Sequence, residues 1–185
     1  MNEIMTDSTG KSSHASASHD DDAVHVRDAG KLNVTVRDLS HDESLAILAK
    51  HHVGHVGISF HDLLRVKICN YVYSEGWIYL RAELGSDLVM AKHHPWAAFE
   101  VDEVEGIFDW RSVEVWGAIE FLSSDMQSPD WFERENAVRL LRAVVPEILT
   151  ADDPLPQRSR LVRIHLDNVM GRESRVGHPR PLPQP

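Results

Sequence analysis

Apolar and polar residues alternate along several stretches of this chain, with the two-residue period of a half-buried β-strand. In the clearest case, Val113, Val115, Gly117, Ile119 and Phe121 alternate with Glu114, Trp116, Ala118 and Glu120. Other stretches are rich in the β-branched and aromatic residues that strands favour. The predicted strands are Val53–Ser59, Leu63–Tyr73, Trp77–Glu83, Trp96–Val104, Arg111–Leu122 and Arg160–Val169.

Helical spacing occurs in two places, each preceded by residues that favour the start of a helix. Ser40 and Glu43 have the three-residue spacing of a capping box, followed by an apolar face. The segment Ser128–Asp130 supplies a capping residue, a proline and an acid for a second helix. Pro146 lies inside the apolar pattern of that helix and is predicted to end or kink it.

The order of the predicted elements favours an antiparallel barrel. The strands Leu63–Tyr73 and Trp77–Glu83 are separated by the short loop Ser74–Gly76, which is typical of a β-hairpin. One or two helical turns are predicted at Asp87–His93, before the next pair of strands. Because hairpins join most strands and crossovers are few, a parallel sheet is disfavoured. The sequence therefore predicts a mostly β domain with a few helices.

The two ends of the chain differ in composition from the part between them. Residues 1–30 are rich in Ser, Asp and His and poor in large apolar side chains, so they are predicted to form a disordered arm. Residues 171–185 hold four prolines among the last seven and are predicted to form an extended tail. The folded domain is therefore predicted to span residues 31–170.

Charge and cysteine content narrow the classes of function. The 185 residues carry a net charge of −10, of which the arm contributes −4 and the tail +2, leaving −8 on residues 31–170. This acidity disfavours nucleic-acid binding and electrostatic attachment to a membrane. The single cysteine, Cys69, excludes an intrachain disulfide and favours a reducing compartment. With no apolar run long enough for a membrane span or signal peptide, a cytoplasmic location is expected.

Five segments and one glycine follow one another in a recognisable order. They are Arg65–Tyr73, Gly76–Leu80, Leu84–Ser86, Phe99–Glu103, Trp110–Val113 and Gly117. Together they resemble the pyridoxamine 5′-phosphate oxidase-like family, and more closely its flavin-binding branch that includes nitroimidazole-resistance proteins. The resemblance covers about Leu39 to Gly171. It implies a six-stranded antiparallel split β-barrel of Greek-key type, a homodimer, and FMN bound at the subunit interface. Other members use a deazaflavin or bind haem, so the fold alone does not fix the cofactor.

The resemblance implies a phosphate site on the second and third strands of the barrel and in the loop that follows. The matching residues are Arg65, Lys67, Arg81 and Ser86. Arginine and lysine suit a phosphate dianion because they donate charge-assisted hydrogen bonds to it. The family usually has a basic residue after the Gly-Ser pair, but this chain has Asp87. A carboxylate facing the phosphate would repel it, whereas one that caps the following helix would be harmless.

By the same resemblance, two further groups lie near the flavin ring. Backbone atoms around Ile68, Cys69 and Asn70 would border the isoalloxazine, and the partner subunit would supply the second group, which is Trp110, Arg111 and Ser112. Cys69 is interpreted as a small apolar strand residue, because no neighbour in sequence would lower its pKa. No catalytic acid or base is assigned.

No metal site is predicted. The twelve histidines include a His-His-x-x-His run at His51–His55, but a helix-to-strand junction gives these rings no common direction. Three functions remain open. The first is an FMN-dependent oxidoreductase that reduces a small quinone-like or nitro-aromatic acceptor. The second is a non-catalytic or degenerate flavin-binding protein, such as a sensor, which Asp87 favours. The third is a haem-binding member of the same fold, with a histidine as axial ligand.

Overall fold

The computed structural model describes residues 33–60, 63–83 and 95–177. In these ranges the chain forms eight strands and two helices. They are β1 (Asn33–Asp38), α1 (His41–Lys50), β2 (Val53–Phe60), β3 (Leu63–Ser74), β4 (Trp77–Ala82), β5 (Trp96–Gly106), β6 (Asp109–Leu122), α2 (Trp131–Val144), β7 (Arg160–His165) and β8 (Asn168–Gly177). The arm of residues 1–30 and the short helix expected at Asp87–His93 lie outside the described residues.

Six antiparallel strands close into a barrel, which confirms the predicted fold class. Their order is β6-β5-β2-β3-β4-β7, and the far end of β6 pairs with β7 to complete the circle. The near end of β6 pairs instead with β8, and β8 pairs with β1. The long strand β6 therefore belongs both to the barrel and to a three-stranded extension, because its two halves have different neighbours.

The capping box predicted for α1 is confirmed. The Ser40 hydroxyl accepts a hydrogen bond from the Glu43 amide at 3.2 Å, and the Glu43 carboxylate accepts one from the Ser40 amide at 2.8 Å. Ile47 and Leu48 of this helix are buried against the barrel. Two amides at the helix start thus have partners, and the helix covers one end of the core.

The start of α2 differs from the prediction by two residues. The capping residue is Asp130 rather than Ser128, and its side chain does not cap the helix. The Asp130 carboxylate accepts hydrogen bonds from the Ser123 amide at 2.7 Å and from the Ser128 hydroxyl, so it stabilises the preceding turn. The end is as predicted, because α2 stops at Val144, just before Pro146.

The single strand predicted at Arg160–Val169 is two strands, β7 and β8. β8 continues to Gly177 and so includes residues 171–177, which composition places in the tail. β1 is missed because five of its six residues are exposed and only two apolar residues, Val34 and Val36, alternate along it. These two strands depend on long-range pairing with each other and with β6, which no local pattern reveals.

Two apolar clusters hold the domain together. The larger one fills the barrel, where Tyr71 donates a hydrogen bond to the Leu48 carbonyl at 2.9 Å and packs edge-to-face on Phe99. The smaller one lies under α2 and joins Leu141 to Tyr79 of the barrel wall. Among the described residues, no helix is both long and apolar enough to cross a membrane.

Candidate functional site

The basic residues of β3 lie at one end of the barrel. Arg65 and Lys67 share a face with Cys69, which is buried among the core residues. In the register with β2, Arg65 pairs with Ile58 and Lys67 pairs with Val56. Both β2 residues are buried, whereas Arg65 and Lys67 are exposed. The interior face of β3 therefore changes from apolar to basic as the strand leaves the core.

A cavity of about 310 Å³ opens beside these residues. Its walls come from β2, β3, the end of β4 and the segment that follows α2. The lining residues are Val56, Lys67, Ile68, Cys69, Arg81, Ala82, Glu83 and Arg158. The structure thus brings together four of the predicted site residues, namely Lys67, Ile68, Cys69 and Arg81. Of the other predicted cofactor ligands, Ser86 and Asp87 lie outside the described residues.

Arg81 is buried and its guanidinium is held by the segment after α2. Nη1 and Nη2 donate to the two carboxylate oxygens of Asp153 at 3.2 and 2.5 Å. Nε donates to the carbonyl of Arg158 at 2.7 Å, and Nη2 also donates to the carbonyl of Leu155 at 2.9 Å. The phosphate contact expected of Arg81 stays a prediction. What the structure adds is a second role, in which Arg81 attaches this segment to the barrel.

Asp153 is the partner that makes this attachment possible. Besides the two bonds from Arg81, its carboxylate accepts the amides of Leu149 at 2.8 Å and Leu155 at 2.9 Å. Burial raises the pKa of Asp153, but these hydrogen bonds outweigh it and hold the pKa below its usual value. The carboxylate is therefore ionised at neutral pH and balances the buried Arg81 charge.

Cys69 forms part of the cavity floor and is a neutral thiol at neutral pH. Burial raises the pKa of Cys69 to about 12, although the nearby positive charge of Arg158 acts in the opposite direction. A thiol with so high a pKa is a poor nucleophile. This agrees with the interpretation of Cys69 as a small apolar residue.

The second predicted group, Trp110, Arg111 and Ser112, lies at the start of β6. Trp110 and Ser112 line another cavity, of about 550 Å³, together with residues of β8. This cavity shares no lining residue with the first one. Ser112 also donates a hydrogen bond to the Glu100 carboxylate at 2.9 Å. Within one chain, the group of Trp110, Arg111 and Ser112 therefore lies apart from the predicted site residues that line the cavity beside β3.

Arg111 is held by Glu103, the residue opposite it on β5. The same carboxylate accepts from Lys50 Nζ at 2.7 Å and shares a hydrogen bond with His51 Nε2 at 2.6 Å. The bonds from Lys50 and His51 and the charge of Arg111 lower the pKa of Glu103 to about 2. This cluster joins the end of α1 to the sheet. Across residues 33–60, 63–83 and 95–177, no three His, Cys, Asp or Glu side chains converge as a metal site would require.

The outer face of the sheet carries an exposed apolar surface that sequence reasoning missed. The registers align Val66 with Gly57, Gly57 with Ala98, and Ala98 with Trp116, so one row crosses four strands. The large apolar residues of this face are Leu64, Val66, Ile68, Trp96, Trp116 and Met170, each about half exposed or more. Asn70 of β3 is also exposed. We call this surface the outer face. Its extent is more typical of an interface than of a solvated sheet.

Comparison with known proteins identifies the family. Residues 40–173 match the family model described as pyridoxamine 5′-phosphate oxidase, so the chain belongs to that family. The match covers all six strands of the barrel, both helices and the first half of β8. No curated protein sequence matches the chain.

Several solved structures share the fold. An FAD-binding protein from Mesorhizobium loti is 26% identical, with a TM-score of 0.61, over 75% of this chain and 97% of that chain. A candidate 5-nitroimidazole antibiotic resistance protein from Bacteroides thetaiotaomicron is 14% identical, with a TM-score of 0.58, over 81% and 96%. An FAD and heme binding protein from Mycobacterium smegmatis is 16% identical, with a TM-score of 0.55, over 76% and 74%.

Proposed function

We propose that this protein binds a flavin nucleotide in the cavity beside β3 and uses it to reduce a small acceptor. The observation that carries the proposal is the cavity itself, in which two basic side chains, Lys67 and Arg158, border an apolar floor. The family and the FAD-binding protein from Mesorhizobium loti support a flavin as the occupant. When bound, the flavin supplies the two-electron chemistry, and the protein supplies binding, orientation and electrostatics.

The residues of the cavity fit the parts of a flavin nucleotide. Lys67 and Arg158 offer charge-assisted hydrogen bonds to a phosphoryl group. Val56, Cys69 and Ala82 give a small, uncharged surface suited to a flat aromatic ring. The neutral Cys69 thiol adds no charge to that surface. Histidine is absent from the described lining of this cavity, which favours a flavin over haem.

The proposed assembly is a homodimer formed through the outer face. A second copy would cover the exposed apolar row that includes Val66 and Trp116. It would also explain why the two predicted groups are apart in one chain, since the Trp110 group of one protomer would then approach the cavity of its partner. FMN is the proposed nucleotide, and a quinone-like or nitro-aromatic compound is the proposed acceptor.

Titration of the purified protein with FMN tests the proposal. We expect saturable binding of one FMN per chain, with quenching of flavin fluorescence as the ring enters the apolar cavity. After photoreduction without oxygen, the flavin bound to the protein should be reoxidised by a quinone or nitro-aromatic faster than free reduced FMN is. Absence of binding by FMN and FAD would refute the proposal. Binding without faster reoxidation would instead identify a non-catalytic flavin carrier.

Replacing Val66 by Asp tests the dimer. Val66 is 63% exposed on the β3 strand of the outer face, so a dimer formed through this face would have to bury two new carboxylates there. We expect light scattering to give about twice the chain mass of 20.9 kDa for the wild type and about that mass for Val66→Asp. Phe132→Asp is the matched control, because Phe132 is 83% exposed on α2, outside the outer face. A monomeric wild type would contradict the dimer.

A further inference from the structure

Arg158 lines the candidate cavity although it lies far from the other lining residues in sequence. It belongs to the segment between α2 and β7, and its side chain is half-buried. Two hydrogen bonds hold its backbone, since its amide donates to the Leu155 carbonyl at 3.0 Å and its carbonyl accepts Arg81 Nε at 2.7 Å. The backbone of Arg158 is therefore already ordered before a ligand binds, which reduces the entropy lost on binding.

Basic side chains outnumber acidic ones among the described residues that line the cavity. Arg81 is neutralised locally by Asp153, whose carboxylate it contacts with both terminal nitrogens. The remaining charged residues in the lining are Lys67 and Arg158, which are basic, and Glu83, which is acidic. Among the described lining residues, basic side chains therefore outnumber acidic ones, in a chain whose net charge is −10. A local excess of this kind favours a small anion without attracting long polyanions.

We propose that Arg158 is a ligand of the flavin's phosphoryl group, acting together with Lys67, and that Arg81 and Asp153 are positioning residues for it. This inference rests on the proposed flavin site. It assigns to Arg158 the direct contact that sequence reasoning expects of Arg81. The guanidinium of Arg158 suits the task because its planar set of donors can give two parallel hydrogen bonds to phosphoryl oxygens.

Comparing three flavins on one variant tests the assignment. Riboflavin has the ring but lacks the phosphoryl group, FMN has one phosphoryl group, and FAD has a pyrophosphate. We expect Arg158→Gln to raise the Kd for FMN or FAD by about ten- to a hundredfold, because it removes charge-assisted hydrogen bonds. The Kd for riboflavin should stay within about twofold of the wild-type value. The nucleotide with the larger loss is the one that places its phosphoryl group against Arg158.

Two further variants distinguish the loss of the phosphoryl contact at Arg158 from a general loss of positive charge. Arg158→Lys keeps the charge but loses the planar set of donors, so its Kd for the nucleotide should lie between those of the wild type and Arg158→Gln. Arg139→Gln removes the same charge from the exposed side of α2, where Arg139 contacts Asn136, and should leave all three Kd values unchanged.

The outcomes distinguish this inference from the proposed function. If the wild type binds FMN or FAD and Arg158→Gln binds it equally well, the assignment of Arg158 is wrong while the flavin site stands. Equal weakening of riboflavin and the nucleotides would also overturn the assignment, because it would indicate a damaged cavity. If the wild type binds none of the three flavins, both the proposed function and the role of Arg158 are wrong.

Discussion

Replacing Asp153 by Asn is expected to destabilise the protein by about 3–5 kcal/mol, the cost of removing one partner from a buried ion pair. Asp153 and Arg81 are both buried, and the carboxylate accepts four hydrogen bonds. The amide of Asn has one oxygen and two N–H groups, so it cannot accept this set and leaves the Arg81 charge uncompensated. Urea unfolding at neutral pH measures the loss as a lower midpoint.

Asp152→Asn is the matched control for this prediction. Asp152 is the neighbouring residue and is exposed, so the same chemical change there should alter the free energy of unfolding by no more than about 0.5 kcal/mol. Equal unfolding midpoints for Asp153→Asn and Asp152→Asn would show that the buried pair does not stabilise the fold.

Lowering the pH should reduce the difference in the free energy of unfolding between the wild type and Asp153→Asn. The pKa of Asp153 in the folded protein is lowered from its ordinary value of 3.8. Its contribution to stability is therefore complete above pH 3.8 and is lost as the pH falls through the lower, folded-state pKa. The difference in the free energy of unfolding should be constant near neutral pH and shrink only below pH 3.8.

The barrel could be predicted from sequence because its strands carry their own signals. Val113 to Phe121 alternate on β6, and Ser40 with Glu43 marks the start of α1, so local patterns locate these elements. β1 and the second half of β8 carry a weaker signal, since β1 has only Val34 and Val36 as alternating apolar residues and residues 171–177 hold only Val176. Their residues are stabilised by pairing with each other across more than 130 positions of the chain, and a local sequence pattern does not reveal a partner at that distance.

Among the residues around the candidate cavity, the sequence points only to those that lie on strands. Of the residues that line the cavity, Lys67, Ile68 and Cys69 could be predicted because adjacent strand positions and the family resemblance point to them, and their contact with a cofactor stays a prediction. Arg158 and Asp153 were missed because they lie in an irregular segment whose position depends on the buried contact with Arg81. The outer face was also missed, since an apolar residue on a strand does not by itself reveal which face a partner covers.

Replacing Gly117 by Ala is expected to destabilise the protein by about 3 kcal/mol or more. Gly117 lies on β6 between the residues paired with β8 and those paired with β7, where the chain from His165 to Asn168 crosses the strand. A Cβ at this position would lie 2.7 Å from the His165 carbonyl carbon and would overlap its oxygen. The methyl group would therefore force β7 and β6 apart.

The segment from His165 to Asn168 cannot move away from Gly117 without breaking hydrogen bonds, because Asp167 is bonded to the residues on both sides of Gly117. The Asp167 amide donates to the Trp116 carbonyl at 3.1 Å, and the Asp167 carboxylate accepts the Ala118 amide at 2.9 Å. The obstruction is backbone, which cannot rotate away as a side chain can. We expect Gly117→Ala to lower the urea midpoint and to be recovered poorly as folded protein.

Gly106→Ala is the control for this prediction. A Cβ at Gly106 would meet only the Cβ of Asp109, at the ordinary contact distance of 3.8 Å, so its effect should be below about 1 kcal/mol. Similar unfolding midpoints for Gly117→Ala and the wild type would mean that the crossing can move aside.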